Sequence, residues 1–185
     1  AYTAFSGAEN WIDEKVVTAI RRFVDQGGGF IGVGEPTAYQ HQGRYFQLSD
    51  VLGVDREMEF SLSTDKYNEM DPHHFILEDI DGDIDFGEGT SRIYAQGRHY
   101  QILAQDGEYS ELVVNEYGKG HSVYFAGLPY SPQNCRILLR AIYYAAGMEE
   151  EMKHYYVTNV DTEVTVFPET KRIAVINNAD AEEKT

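Results

Sequence analysis

A glycine-rich junction between a predicted helix and a predicted strand constrains the fold of this chain most. Residues 16–24 carry apolar side chains at helical spacing, acidic residues precede them, and Gly27 follows them. Residues 30–33 then form a short apolar run between glycines, which is typical of a buried strand. The run ends in Gly34-Glu35-Pro36. This order indicates an α/β protein, in which ligands and nucleophiles usually follow the carboxyl end of a strand.

The rest of the chain predicts a sheet flanked by helices. YFQLSDVLGV is expected to form a short helix, and REMEFSLSTDKYN an edge strand. SRIYAQG, YQILAQDG, ELVVNEYGKG and HSVYFAGL predict four more strands, with a hairpin turn at residues 117–120. The last helix begins at the N-cap Ser131 and ends at Gly147. Its predicted apolar face consists of Ile137, Leu138, Ile142, Tyr143 and Ala146.

A predicted β-hairpin, EVTVFPETKRIAVINN, follows this helix and belongs to neither neighbouring helix. We therefore predict an α/β domain over residues 1–150 and the start of a β domain over residues 151–185. The α/β domain begins with a helix, so we expect the first strand of its sheet to lie upstream of residue 1.

The composition excludes some partners. The 185 residues carry a net charge of −16, which disfavours nucleic acid and anionic membranes. No apolar run approaches the ~20 residues of a membrane-spanning helix. The single cysteine cannot form an internal disulfide, and no signal peptide is visible. We expect a cytoplasmic location.

The loop after residue 33 does not match a complete catalytic motif. The third glycine of a dinucleotide-binding motif falls on Thr37, and the turn holds no serine or cysteine nucleophile. Glu35 could bind a sugar hydroxyl, act as a base or cap the next turn, and we favour a structural role. Tyr39 and His41 are also compatible with sugar binding. We predict that Glu35, Tyr39 and His41 line a cleft and bind substrate there.

Other candidate sites are weaker. The acidic stretch DIDGDIDFGE lacks the glycine and glutamate of a calcium loop in either register. The adjacent His73 and His74 point apart in a strand, so we expect no metal site. Cys135 is expected to be a small packed residue. We predict no metal and no cofactor.

Two stretches resemble a known family. The G-E-P-T-A run at residues 34–38 and the A-G-L-P-Y-S-P-Q-N run at residues 126–134 resemble the galacto-N-biose/lacto-N-biose phosphorylases. These are the 1,3-β-galactosyl-N-acetylhexosamine phosphorylases and their β-1,4-galactosyl-rhamnose relatives. The resemblance covers most of the chain, and the tail resembles the beginning of the family's C-terminal β domain.

The resemblance implies different roles for the domains of the complete protein. In this family a barrel-like N-terminal domain carries the chemistry. The middle domain is similar to the flavodoxin-like fold of class I glutamine amidotransferases and to the trimerisation domain of family 42 β-galactosidases. Gly34 corresponds to the amidotransferase cysteine, so glutamine hydrolysis is not expected.

The implied function is that of a non-catalytic middle domain in an inverting phosphorylase. The complete enzyme would convert a galactosyl disaccharide and phosphate, its co-substrate, into galactose 1-phosphate and a free acceptor sugar. Whether the acceptor is N-acetylglucosamine, N-acetylgalactosamine or rhamnose stays open. The implied partners are the barrel domain of the same polypeptide and, in a homo-oligomer, further copies. An assembly or sugar-binding domain of a family 42-type β-galactosidase is the alternative.

Overall fold

The computed structural model describes residues 11, 13–41, 43–58, 69–153, 157, 159 and 161–179, without the side chains of residues 39–41 and 153. The helices are α1 (Glu14–Asp25), α2 (Ser49–Leu52), α3 (Pro132–Ala145) and α4 (Glu149–Lys153). The strands are β1 (Gly29–Val33), β2 (Ala38–His41), β3 (Arg44–Phe46), β4 (Val54–Arg56), β5 (Ile93–Ala95), β6 (Tyr100–Asp106), β7 (Tyr109–Tyr117), β8 (Gly120–Phe125), β9 (Thr162–Phe167) and β10 (Arg172–Asn177).

The central sheet has four strands in the order β1-β8-β7-β6. Strands β1 and β8 are parallel, whereas β8, β7 and β6 form an antiparallel meander. The hairpin predicted at residues 117–120 is confirmed, because Tyr117 pairs with Gly120. The predicted mixture of helices and sheet is therefore confirmed, and the meander gives the sheet an antiparallel half.

Both faces of the sheet are covered. Successive residues of β8 point to opposite faces, as in any strand. Val123 and Phe125 pack with helix α3 and with a 3-10 turn at Phe75–Leu77. Tyr124 packs on the other side with β3, β4 and β5, next to helices α1 and α2. The structure is thus a three-layer α/β/α arrangement around a mixed sheet.

Side-chain caps begin the two long helices, and that of Ser131 was predicted. Asp13 accepts a hydrogen bond from the backbone N–H of Lys15 at 2.8 Å and begins α1. Ser131 accepts one from the N–H of Asn134 at 3.0 Å and begins α3. The short helix α2 ends at Gly53, as predicted, although the preceding Tyr45 and Phe46 lie in β3.

The predicted apolar face of α3 was partly wrong. Ile137 is buried, but Ile142 and Ala146 are exposed. The helix is instead turned so that Arg140 faces the interior, where Asp79 neutralises its charge. A pattern based on apolar residues cannot anticipate a buried arginine, because its partner is remote in sequence. The buried side of the helix comprises Asn134, Ile137, Arg140, Ala141, Tyr144 and Ala145.

Two glycines allow the ends of helices to approach the sheet. A Cβ atom at Gly29 would collide with the backbone carbonyl of Ala145 at the end of α3. A Cβ atom at Gly120 would collide with the carbonyl oxygens of Gly28 and Val24, beside the end of α1. The glycine-rich junction therefore serves close packing between helix and strand.

The predicted edge strand after residue 56 is only partly visible. Strand β4 covers its beginning and pairs with β5 in antiparallel fashion. Residues 59–68, which make up much of REMEFSLSTDKYN, lie outside the described part of the chain.

The predicted terminal hairpin is confirmed. Strands β9 and β10 are antiparallel, with Ile173 opposite Val166 and Val175 opposite Val164. These four β-branched side chains share one face of the hairpin. Ile173 and Val175 remain 57% and 55% exposed, so little of the described chain covers them.

Candidate functional site

Gly34 forms the turn at the carboxyl end of β1. Its N–H donates to the carbonyl of Phe125 at 2.9 Å, and its own carbonyl accepts from the Tyr124 hydroxyl at 2.9 Å. Its φ of +71° lies in the left-handed region that favours glycine. The nearest atom to an added Cβ would be Thr90 Oγ1 at 3.9 Å. Backbone conformation, not lack of space, therefore favours glycine at this turn.

Glu35 forms a compact polar cluster with Tyr45 and Arg56. Arg56 Nη1 donates to Glu35 Oε1 at 2.6 Å and contacts the Tyr45 hydroxyl at 2.9 Å. The Tyr45 hydroxyl also donates to Glu35 Oε1 at 2.9 Å. The Arg56 guanidinium carbon lies 4.9 Å from the centre of the Tyr45 ring. We call Glu35, Tyr45 and Arg56 the Glu35 cluster.

The electrostatics of the Glu35 cluster keep Tyr45 protonated. Partial burial raises the pKa of the Tyr45 hydroxyl, and the nearby Glu35 carboxylate raises it further. Arg56 opposes this change. The tyrosine is therefore a hydrogen-bond donor at neutral pH, and Glu35 Oε1 accepts hydrogen bonds from its hydroxyl and from Arg56 Nη1. Such a cluster can orient a loop or present hydroxyl-binding groups to a sugar.

The course of the chain after Glu35 bears on its considered role as a cap. No helix begins directly after it, because the chain continues into the turn at Thr37 and then into β2, and the next helix, α2, begins only at Ser49 with Leu48 as its N-cap. Of the roles considered for Glu35, that of a helix cap is therefore not found here. The carboxylate reaches across to β3 and β4 instead. Sequence analysis missed Tyr45 and Arg56, which lie 10 and 21 residues away from Glu35.

The other two predicted site residues lie in β2, which follows the turn. The backbone of Tyr39 and His41 is described, but their side chains lie outside the described part of the structure. Thr37, immediately before β2, is fully buried with a φ of 59°. Its hydroxyl accepts from the N–H of Leu48 at 3.3 Å, and its carbonyl accepts from the N–H of Gln47 at 3.0 Å. These contacts fix the start of β2.

Asp55 holds the backbone of β3 and β4, which carries Tyr45 and Arg56 of the Glu35 cluster. It is 2% exposed, and its Oδ1 accepts from the backbone N–H groups of Tyr45, Phe46 and Arg56 at 3.0, 2.9 and 2.9 Å. Burial raises the pKa of this carboxyl, whereas the three hydrogen bonds lower it. One side chain thus holds the backbone that carries two members of the cluster.

The remaining candidates do not form a common site. His73 Nδ1 lies 2.9 Å from Asp71, whereas His74 Nδ1 accepts from the N–H of Ile76 at 3.2 Å. Burial lowers the pKa of His74. Cys135 is exposed, so its predicted packing was wrong, because α3 turns its other side to the core. In the described ranges, no three His, Cys, Asp or Glu residues are grouped to hold a metal ion.

Comparison with known proteins relates this architecture to a family. The family model of the lacto-N-biose phosphorylase central domain matches residues 1–150. The chain belongs to the lacto-N-biose phosphorylase family. The model of that family's C-terminal domain matches residues 155–185. The family resemblance predicted from the two motifs is confirmed.

Relatives within the family carry phosphorylase names. The chain is 52% identical over 185 residues to a 1,3-beta-galactosyl-N-acetylhexosamine phosphorylase of Lachnoclostridium phytofermentans. It is 38% identical over 216 aligned residues to the enzyme of that name from Bifidobacterium longum subsp. longum. These matches cover 100% and 99% of this chain but only 25% and 29% of the relatives. The chain thus spans about a quarter of their length.

A solved structure was also found. A crystal structure of beta-galactosidase from Bacillus circulans sp. alkalophilus aligns with a TM-score of 0.45 and 21% identity. The alignment covers 82% of this chain and 23% of that one. Separately, the helices in the described ranges are all too short or too polar to cross a membrane.

Proposed function

We propose that this chain is the non-catalytic middle domain, with the start of the C-terminal β domain, of an inverting β-galactoside phosphorylase. The observation that carries the proposal is the 52% identity, over the whole chain, to a protein named 1,3-beta-galactosyl-N-acetylhexosamine phosphorylase. The two domain matches, at residues 1–150 and 155–185, support a boundary between these parts near residue 150.

The complete enzyme would transfer galactose to phosphate. Phosphate attacks the anomeric carbon while a carboxylic acid protonates the departing oxygen, so the bond to the N-acetylhexosamine breaks with inversion. The products are galactose 1-phosphate and the free N-acetylhexosamine. This reaction needs an acid, a phosphate site and a sugar site held in one geometry.

The described residues favour a supporting role for this domain. Gly34 has no nucleophilic side chain at the turn after β1. Glu35 already accepts hydrogen bonds from Tyr45 in β3 and Arg56 in β4, and so is engaged within its own domain. We assign the acid and the phosphate site to the barrel domain outside this chain. The loop that carries Glu35, Tyr39 and His41 follows the carboxyl end of β1, where α/β sheets bind ligands, and would line a cleft beside that domain.

The edge of β1 supports a flavodoxin-like continuation of the sheet. In the described part of the chain, β1 pairs with β8 alone, and Val33 is 44% exposed. A parallel strand is normally flanked and covered by further structure. A strand preceding α1 in the polypeptide could pair with β1 through the usual right-handed crossover. We propose that such a strand completes the sheet.

The proposal is tested by comparing the complete polypeptide with the 185-residue chain. We expect phosphate-dependent release of galactose 1-phosphate from a β-1,3-galactosyl-N-acetylhexosamine by the complete polypeptide and none by the chain alone. Reactions without phosphate serve as the control. Release of free galactose under those conditions would indicate a glycosidase instead, and activity of the isolated chain would contradict the supporting role.

Replacement of Glu35 by glutamine tests how the Glu35 cluster acts. We expect kcat/KM of the complete enzyme to fall by less than about tenfold and stability to change by no more than about 1 kcal/mol, because the exposed ion pair contributes little. Phosphorolysis kinetics and melting temperature measure the two effects. Glu108→Gln, in the exposed turn between β6 and β7, is the matched control. A larger kinetic loss at unchanged melting temperature would show that the carboxylate contacts substrate.

A further inference from the structure

A largely buried ionic cluster lies between helix α3 and the segment that follows Phe75. Arg140, whose side chain is 3% exposed, donates from Nη2 to Asp79 Oδ2 at 2.6 Å. Its Nη1 donates to the carbonyl of Phe75 at 2.9 Å. Arg136 lies one helical turn earlier, is 9% exposed, and places Nη2 3.5 Å from the same carboxylate oxygen. Asp79 therefore joins two arginines of one helix, the buried Arg140 and the partly buried Arg136.

Arg136 also binds the main chain that leads into the β9–β10 hairpin. Its Nη1 donates to the carbonyl of Asn159 at 3.0 Å, and its Nη2 donates to the carbonyl of Val157. The partners of the guanidinium thus include a carboxylate and two carbonyl groups. Arginine suits this position because its planar group offers five donors in fixed directions, whereas lysine offers a single ammonium group.

The contacts continue from Asn159 to both strands of the hairpin. The Asn159 carbonyl accepts from the N–H of Thr162, the first residue of β9, at 3.3 Å. The Asn159 side chain accepts from the N–H of Asp161 at 2.7 Å. The Asp161 carbonyl accepts from the N–H of Asn178, just after β10, at 2.7 Å. One continuous set of hydrogen bonds therefore links α3 to the base of the hairpin.

We propose that Arg136 is a positioning residue that anchors the base of the β9–β10 hairpin, and with it the beginning of the C-terminal domain, to the α/β domain. The guanidinium of Arg136 supplies the N–H donors that the main-chain carbonyl groups of Val157 and Asn159 accept. Asp79 holds Arg136 in the orientation that reaches them, and Arg140 holds Asp79. This anchor is independent of the reaction that the complete polypeptide catalyses.

Arg136→Gln in the complete polypeptide tests the anchor. Chymotrypsin suits the assay because the stretch KHYYVTN, residues 153–159, contains two tyrosines and the substitution removes none of its sites. We expect cleavage within this stretch to accelerate about tenfold or more, since the charge-assisted hydrogen bonds of Arg136 to the main chain are lost. Amide hydrogen exchange of residues 159–167 is expected to accelerate as well, while β7 and β8 keep their protection.

Two further variants complete the test. Arg22→Gln removes the same charge from the exposed surface of α1 and is expected to leave cleavage unchanged. Arg136→Lys keeps the charge but lacks the planar group. It replaces Arg136→Gln in the assay if fast amide hydrogen exchange in β7 shows that Arg136→Gln is unfolded. Wild-type cleavage and exchange in a folded Arg136 variant would overturn the proposal. An equal acceleration in the Arg22 variant would overturn it too.

Discussion

Gly120→Ala is expected to lower the free energy of unfolding by about 3 kcal/mol or more. The added methyl group would collide with two main-chain carbonyl oxygens, those of Val24 and Gly28, where α1 ends and β1 begins. A backbone cannot move aside as easily as the end of a flexible side chain. Either α1 moves away from the sheet or the turn before β8 opens, and both changes remove buried contacts from Val24.

Urea denaturation of the 185-residue chain, followed by circular dichroism, measures this loss. Gly107→Ala is the matched control, because Gly107 also lies in a hairpin turn but has no atom within 4 Å of an added Cβ. Its φ of +57° makes alanine mildly unfavourable there, by about 1 kcal/mol. Equal losses in the two variants would show that the collision at residue 120 is relieved at little cost.

Asp55→Ala is expected to destabilise the domain by about 4 kcal/mol, because three main-chain N–H groups lose their acceptor in a buried site. Those groups belong to Tyr45, Phe46 and Arg56, so β3 and β4 lose a shared support. Asp55→Asn keeps one acceptor oxygen of the same shape and is expected to cost about half as much. We expect the urea midpoint to be lowest for Asp55→Ala, intermediate for Asp55→Asn and highest for the wild type.

Asp106→Ala is the control for Asp55. Asp106 is exposed at the end of β6, so its loss should change stability by no more than about 0.5 kcal/mol. Near-wild-type stability of Asp55→Ala would mean that water or a rearranged backbone satisfies the three N–H groups. Loss of protease resistance in β3 alone, with an unchanged midpoint, would limit the role of Asp55 to local order.

Local signals in the sequence predicted much of the fold. Asp13 and Ser131 begin the long helices because each offers an oxygen to an unpaired N–H of the first turn. Glycines marked the turn of the β7–β8 hairpin. The A-G-L-P-Y-S-P-Q-N run, together with the first loop, indicated the family. These features depend on neighbours within a few residues, so the sequence displays them directly.

Contacts between remote residues could not be predicted in this way. Glu35 meets Arg56 only because β4 lies beside the turn that follows β1, and Arg140 is buried only because Asp79 lies opposite it. Each pairing depends on the packing of whole elements. A charged residue in a helix is normally assigned to the solvent side. The prediction therefore placed Arg140 outside and assigned the exposed Ile142 to the core face of α3.

The uncovered face of the β9–β10 hairpin has a practical consequence for any preparation of this chain. The stretch RIAVIN in β10 carries one charge, no proline and several β-branched residues, a composition that favours intermolecular cross-β stacking. Both strands lie at the edge of a two-stranded sheet. Two copies could therefore join edge to edge and aggregate. Val175→Lys, in the middle of this face, should suppress this association between copies of the isolated chain.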